Sequence, residues 1–217
     1  VTSQPSPYSF WSRVLYRIIW SIIRFFLVVA FRTEVSGREN ERMHGRVIYA
    51  SNHISALDPP VVGASLKRQL MYLAKQELFA IPIFGRIIRA LHARPVNRTG
   101  YTRGALEVMK AALEKDEGVL VFPEGTRQKD GKLGEGKVGV GMLAVWTGAP
   151  VVPVYVSGTA NVWKALSGRC RFRVALGRVV EPPDVSDPQE RKRAYQTVTD
   201  AVMAEIARLK AEVDEKQ

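Results

Sequence analysis

Three observations predict an α/β fold with a mostly parallel or mixed central sheet covered by helices. Beyond Gly37, short apolar runs alternate with amphipathic segments. Most of the runs are apolar along their whole length, as in strands covered on both faces. Turns containing Gly or Pro separate them. With 217 residues, 46% of them hydrophobic, the chain can build one domain with a sizeable core and a short appendage.

In chain order, residues 47–50, 70–73, 93–97, 119–122, 151–156 and 172–180 read as strands, and residues 59–66, 82–91, 102–115 and 138–146 as helices. Pro153 interrupts a central ladder unless it sits at an edge or a bulge, so the run Val151-Val152-Pro153-Val154 is expected to shape an apolar wall rather than to perform chemistry. The last helix is defined by its period. Tyr195, Val198, Val202, Ile206, Leu209 and Val213 recur at three- and four-residue intervals, a continuous apolar face for packing with charges opposite.

The segment from Trp11 to Phe31 is apolar but carries Arg13, Arg17 and Arg24. At about 100° per residue these arginines fall within about 40° of one another, a narrow basic stripe on an otherwise apolar helix. A spanning helix wants about 20 apolar residues, and the uncharged stretch after Arg24 runs only from Phe25 to Phe31. An interfacial helix is therefore expected, burying Trp11, Leu15, Ile18, Ile19, Ile22, Phe25 and Phe26 among acyl chains while the arginines reach phosphates. The alternative is a helix docked on the domain's own core. No small-residue cleavage pattern follows it, so it reads as retained. Residues 1–34 form the expected membrane-associating segment and residues 35–217 the domain.

The net charge of +11 implies an anionic partner or surface. Cys170 is the sole cysteine, which excludes an intramolecular disulfide and a Cys-rich zinc site and fits a reducing cytoplasm. His44, His53 and His92 lack metal-ligand spacing, so no metal is expected.

Asn52-His53-Ile54-Ser55-Ala56-Leu57-Asp58 places a proton acceptor and an orienting carboxylate five residues apart. A regular helix would set them about 140° apart, so pairing requires a turn between the strand at 47–50 and a helix that Asp58 caps, with Pro59 in its first turn. Such a pair fixes the imidazole tautomer and frees the other nitrogen to deprotonate a hydroxyl. No G-x-S-x-G nucleophile elbow accompanies it, so the hydroxyl belongs to a substrate. The plainer alternative is Asp58 as a helix cap and His53 as a satisfied turn residue. Farther on, Phe122-Pro123-Glu124-Gly125-Thr126-Arg127 follows an apolar strand, at the sheet edge where open α/β folds bind ligands. Gly125 permits close backbone approach, Thr126 offers a hydroxyl and Arg127 a forked phosphate contact. Glu124 either holds Arg127 or meets a substrate hydroxyl.

Taken in order, these two motifs and Val151-Val152-Pro153-Val154 resemble the glycerophospholipid acyltransferase family, within it the bacterial lysophosphatidic acid (1-acyl-sn-glycerol-3-phosphate) acyltransferases, over roughly residues 35–180. The family's intermediate block corresponds to His92-Ala93-Arg94-Pro95-Val96-Asn97-Arg98, with His92 standing where the family usually has Gly. The resemblance implies His53 as general base, Asp58 as its orienter, and Arg98, Glu124, Gly125, Thr126 and Arg127 as acceptor-binding residues. Lys75, Arg94 and Lys137 are further candidates for a phosphate, each with surface solubility as the alternative. Trp11, Arg13, Arg17, Arg24 and Phe25 are the expected membrane contacts.

The implied reaction moves a fatty acyl group from a thioester of coenzyme A or acyl carrier protein to lysophosphatidic acid, with no bound cofactor, at the cytoplasmic face of the cell membrane. Glycerol 3-phosphate or another lysophospholipid is the alternative acceptor. An inactive protein that binds anionic lipid is a different class, against which the intact His53 and Asp58 count. Nucleic acid is not an expected partner, because the apolar helix and the ordered motifs account for the charge. Oligomeric state and acyl-chain length are not written in the sequence.

Overall fold

The computed structural model describes residues 10–96, 103–128 and 130–215, with backbone only at residues 10, 12 and 13. Its strands are β1 (Glu34–Ser36), β2 (Val47–Ser51), β3 (Leu70–Lys75), β4 (Ala93–Val96), β5 (Gly118–Val121), β6 (Val151–Ser157) and β7 (Arg173–Leu176). Its helices are α1 (Phe10–Phe31), α2 (Asp58–Ser65), α3 (Pro82–Ala90), α4 (Arg103–Leu113), α5 (Gly139–Thr147), α6 (Val162–Leu166) and α7 (Pro188–Asp214). The strands form one sheet in the order β1-β7-β6-β2-β5-β3-β4. Every neighbouring pair is parallel except β6 with β7, so the sheet is mixed.

Side-chain alternation along the strands feeds two cores. Ile48, Ala50, Val119, Val121, Val151 and Tyr155 face α4, α5 and α7, whereas Val47, Tyr49, Leu120, Val152, Val154 and Val156 face α1, α2 and α6. Tyr72 is shared between the second core and a small cluster of Phe79, Ile88 and Ala93, which puts α3 on the same side as α1. The long α7 begins where Asp187 accepts from the amides of Gln189 (2.8 Å) and Glu190 (2.9 Å), ahead of Pro188 in the first turn. Its apolar face packs as its period predicts, and Gly141 lets α5 approach, since a Cβ there would lie 1.9 Å from the Tyr195 carbonyl oxygen.

Two elements escape the sequence pattern: β1 has three residues and α6 five, too few to display a period. The strand expected over residues 172–180 is pairing-competent only at Arg173–Leu176, and Val180 rejoins the sheet through an isolated bridge to Val151. Between them the β7 side carries one extra residue, because Val154 pairs Leu176 while Val151 pairs Val180. Pro153 faces this bulge, so its missing N–H costs no ladder bond, and its carbonyl accepts from Gly177 (2.8 Å).

Candidate active site

The parallel strands β5, β2 and β6 lie side by side, with Ala50 opposite Val121 on one flank and Ser51 opposite Val154 on the other. Their carboxyl ends deliver three loops to one place. Asn52 extends the β2–β6 ladder with its side chain, donating to the Val156 carbonyl (3.0 Å) and accepting from the Val156 amide (2.7 Å). This buried amide fixes where the chain leaves the sheet, and His53 follows it.

His53 Nδ1 lies 2.8 Å from Asp58 Oδ2. The same oxygen accepts from the amides of Ile54 and Ser55, both at 2.7 Å, while Oδ1 accepts from the Thr159 hydroxyl at 2.6 Å. Asp58 is fully buried, so these donors replace the water that its charge loses. The helix-cap reading of Asp58 is corrected: it is the first residue of α2, Leu57 occupies the cap position without a side-chain bond, and the carboxylate turns back into the His53 loop. A carboxylate at Nδ1 keeps the imidazole proton there and leaves Nε2 as an acceptor. The ring stacks on Phe122, centroids 4.1 Å apart, and the His53 carbonyl accepts from the Gln128 amide (2.7 Å), so the two motif loops are tied to each other.

Glu124 sits almost fully buried beneath this turn. Burial pushes its pKa up to about 7, partly opposed by the nearby amides of Gly134 and His53 and reinforced by the charges of Asp58 and Asp130. Among the described residues neither carboxylate oxygen completes a hydrogen bond. Glu124 therefore does not hold Arg127. Arg127 and Thr126 are exposed, and Gly125 has the positive φ of 69° that favours glycine. The Lys137 side chain lies over Gly125, close enough that a Cβ there would meet its Nζ at 3.0 Å, and the Lys137 amide donates to the Pro123 carbonyl (2.9 Å). Lys75 ends β3 at the same carboxyl edge and is exposed. Arg94 is a correction: its guanidinium reaches Glu117 (3.3 Å), just before β5 begins, at the opposite edge of the sheet. Arg98 lies outside the described residues.

Comparison with known proteins places this geometry. The model of the family described as "Acyltransferase" matches residues 32–157, more than half of the chain. The chain belongs to the acyltransferase family. Among solved structures, the 1-acyl-sn-glycerophosphate acyltransferase of Thermotoga maritima superposes with a TM-score of 0.65 at 30% identity, covering 87% of this chain and 80% of that one. The 1-acyl-sn-glycerol-3-phosphate acyltransferase of Bacillus subtilis is 25% identical over 203 residues, 93% of this chain and all of the relative. The chloroplastic enzyme BAT2 of Brassica napus is 33% identical over 148 residues. The chain spans about half or less of the first curated relatives it matches, 42% of the Brassica protein and 51% of one from Cocos nucifera.

Two features of the site have no local mark in the sequence. Thr159 lies 101 residues from Asp58, and nothing local marks it. His92, at the position where the family usually has Gly, adopts φ 65°, a conformation glycine takes without strain. Its ring stacks on Tyr16 of α1 (4.7 Å), and burial, with Arg94 nearby, pushes its pKa down to about 4.

The first helix docks on the domain's own core along one stripe and leaves the opposite stripe exposed. Tyr16, Trp20, Ile23, Leu27 and Phe31 form the docked stripe: Trp20 Nε1 donates to the Gly63 carbonyl (3.4 Å) and Phe31 stacks on Phe172 (4.4 Å). Trp11, Leu15, Ile18, Ile22, Phe25 and Phe26 form the opposite stripe and are exposed. By length and composition α1 is sufficient to cross a membrane, but its docking from Tyr16 to Phe31 holds it along the domain. The arginine stripe splits. Arg17 is exposed, whereas Arg24 reaches the Ala64 carbonyl at the end of α2 (3.4 Å) and sits over the Trp20 ring, so it serves packing; the Arg13 side chain is outside the described residues. Between α1 and α2 remains an apolar cleft of about 20 Å³ beside Pro59 and Pro60, room for about one water.

Proposed function

We propose that this protein transfers a fatty acyl group from an acyl thioester to the free sn-2 hydroxyl of 1-acylglycerol 3-phosphate, forming phosphatidic acid. The observation that carries the reading is His53 held by a fully satisfied Asp58, its second nitrogen unclaimed among the described residues. His53 Nε2 takes the proton of the acceptor hydroxyl as that oxygen attacks the thioester carbonyl. The tetrahedral intermediate collapses with loss of thiolate, and the imidazolium returns the proton to the sulfur. Because the thioester is already activated, coenzyme A or acyl carrier protein serves as cosubstrate and no bound cofactor takes part.

The acceptor phosphate is assigned to Arg127, Lys137 and Lys75, with Arg98 joining them on the family resemblance. Glu124 is assigned to the glycerol end. Buried and near half-protonated at neutral pH, it can donate to a substrate oxygen as well as accept. The names of the Thermotoga and Bacillus relatives support the acceptor, the exposed stripe of α1 supports a monotopic position on a membrane, and the cytoplasmic face is assigned on the family resemblance.

The test presents purified protein with lysophosphatidic acid, glycerol 3-phosphate and lysophosphatidylcholine, each with acyl-coenzyme A and acyl carrier protein donors, and identifies products by mass. Phosphatidic acid as the main product is expected. Preferential acylation of another acceptor would reassign the substrate, and vesicle binding without any transfer would leave a lipid-binding protein.

A further inference from the structure

We propose that α3 and α6 extend the membrane-contact face of α1, so that the protein meets an anionic bilayer through three helices, with Ile83 and Trp163 as insertion points beyond α1. This rests on the reading of α1 as a membrane helix and adds to it the elements that set the tilt of the domain. All three helices belong to one layer. Ala165 of α6 is buried in the core beneath α1, and α3 joins the same sheet face through Tyr72. Within that layer α1 contacts both α3 and α6.

The outward residues are large and apolar. Ile83 falls on the side of α3 away from the buried Gly85 and Ile88, and is 75% exposed. Trp163 falls on the side of α6 away from Ala165 and is 81% exposed. Phe84 and Leu166 beside them are also exposed. Ordering such side chains in water gains nothing, whereas a bilayer interface accepts an indole with its ring in the acyl boundary and its N–H among headgroups.

Charge selects the occupant. The sequences of α1, α3 and α6 contain no Asp or Glu, and while Arg24 and Arg89 bind the Ala64 and Phe79 carbonyls, Arg17, Arg86 and Lys164 are left exposed. A protein partner would need an acidic apolar surface shaped to three separated helices. An anionic bilayer supplies negative charge and an apolar interior at any spacing.

Flotation with vesicles of phosphatidylcholine and phosphatidylglycerol tests the proposal on the full chain. The double variant Ile83→Ser, Trp163→Ser should bind about tenfold or more weakly than the parent, with unchanged thermal unfolding because both side chains are exposed. Independently, brominated lipid should quench part of the tryptophan emission, and Trp163→Phe should remove a share of that quenched component. Undiminished binding of the double variant, or undiminished quenching in Trp163→Phe, overturns the role of α3 and α6. In that case weakened binding of Phe25→Glu would show that the α1 reading survives alone. Absence of vesicle binding by the parent protein overturns both.

Discussion

The Thr159 hydroxyl donates to Asp58 Oδ1 across 2.6 Å, joining the loop after β6 to the turn after β2. The bond fixes the carboxylate plane, and through it the imidazole that Oδ2 holds. Thr159→Val keeps the shape and removes the donor, leaving a buried carboxylate oxygen unpaired at a cost of about 1–3 kcal/mol. Turnover should fall roughly tenfold, part of the 10²–10⁴ that a positioned base contributes. The acceptor KM should stay unchanged, and Thr159→Ser should restore most of kcat. A rise in KM with normal kcat would show that Thr159 acts elsewhere than on the His53–Asp58 pair.

His53→Ala should lower kcat by a factor on the order of 10² to 10⁴ while the protein keeps its fold and its vesicle binding. Asp58→Asn is a harsher change than the sequence suggests. Its carboxylate accepts four hydrogen bonds inside the protein, and an amide nitrogen in place of one oxygen would point donors at donors. Loss of both activity and stability is expected, the latter by about 1–3 kcal/mol. Activity per folded molecule, with folded fraction taken from thermal unfolding, separates the two.

How much of this was legible beforehand follows from range. His53 and Asp58 share one turn, and Glu124 to Arg127 share another, so short spacing displayed both. The parallel β2–β5 pairing that brings the turns together is implied by apolar runs long enough to read. Thr159 and the backbone donors to Asp58 were not visible, because they depend on β6 lying beside β2 rather than on any local pattern. Arg94 is ambiguous in the sequence for the same reason: a cation in the right block is a candidate ligand or a surface charge, and only the fold shows its partner Glu117, 23 residues on and at the far edge. The two-sided character of α1 was written in its period, but which stripe would dock depended on the shape of α2.

Glu124 couples stability to pH. Its folded pKa, about 7, is raised above the ordinary carboxyl value of 4.5 by burial. Below pH 4.5 both folded and unfolded chains hold the proton and the site costs nothing. Between about 4.5 and 7 the unfolded chain releases the proton first, so stability falls as pH rises, reaching a loss of about 3 kcal/mol above pH 7. Glu124→Gln removes this cost. The variant should unfold at a higher temperature than the parent at pH 8, with the difference shrinking towards pH 4, while losing acyl transfer. An equal difference at both pH values would mean that Glu124 does not titrate in this window.

Arg127 is exposed and, among the described residues, makes no hydrogen bond or ion pair, so its replacement should leave stability within about 0.5 kcal/mol. Arg127→Ala should raise the KM for a phosphate-bearing acceptor by roughly ten- to a hundredfold, the worth of a charge-assisted contact, and Arg127→Lys should recover only part of it. Lys137→Ala should act in the same direction. Titration of lysophosphatidic acid at saturating donor measures each, and an unchanged KM would exclude that residue from the phosphate site.

The two stripes of α1 make truncation a poor probe and point substitution a good one. Removing residues 1–32 would strip Tyr16, Trp20, Leu27 and Phe31 from the core they cover, so the truncated chain should be destabilised whether or not it touches lipid. Arg24→Glu is compromised in the same way, since Arg24 serves the Ala64 carbonyl and the Trp20 ring. Ile18→Glu, Ile22→Glu and Phe25→Glu lie on the outward stripe and Arg17→Glu beside it, all at exposed positions. The first three should weaken binding to neutral vesicles by removing insertion, and binding to anionic vesicles further because each adds a negative charge. Arg17→Glu should weaken binding to anionic vesicles selectively, by about 2 kcal/mol at low salt, because it reverses one charge near the surface. Thermal unfolding should be unchanged in all four. Normal vesicle binding by the three apolar variants would assign the outward stripe to some other contact.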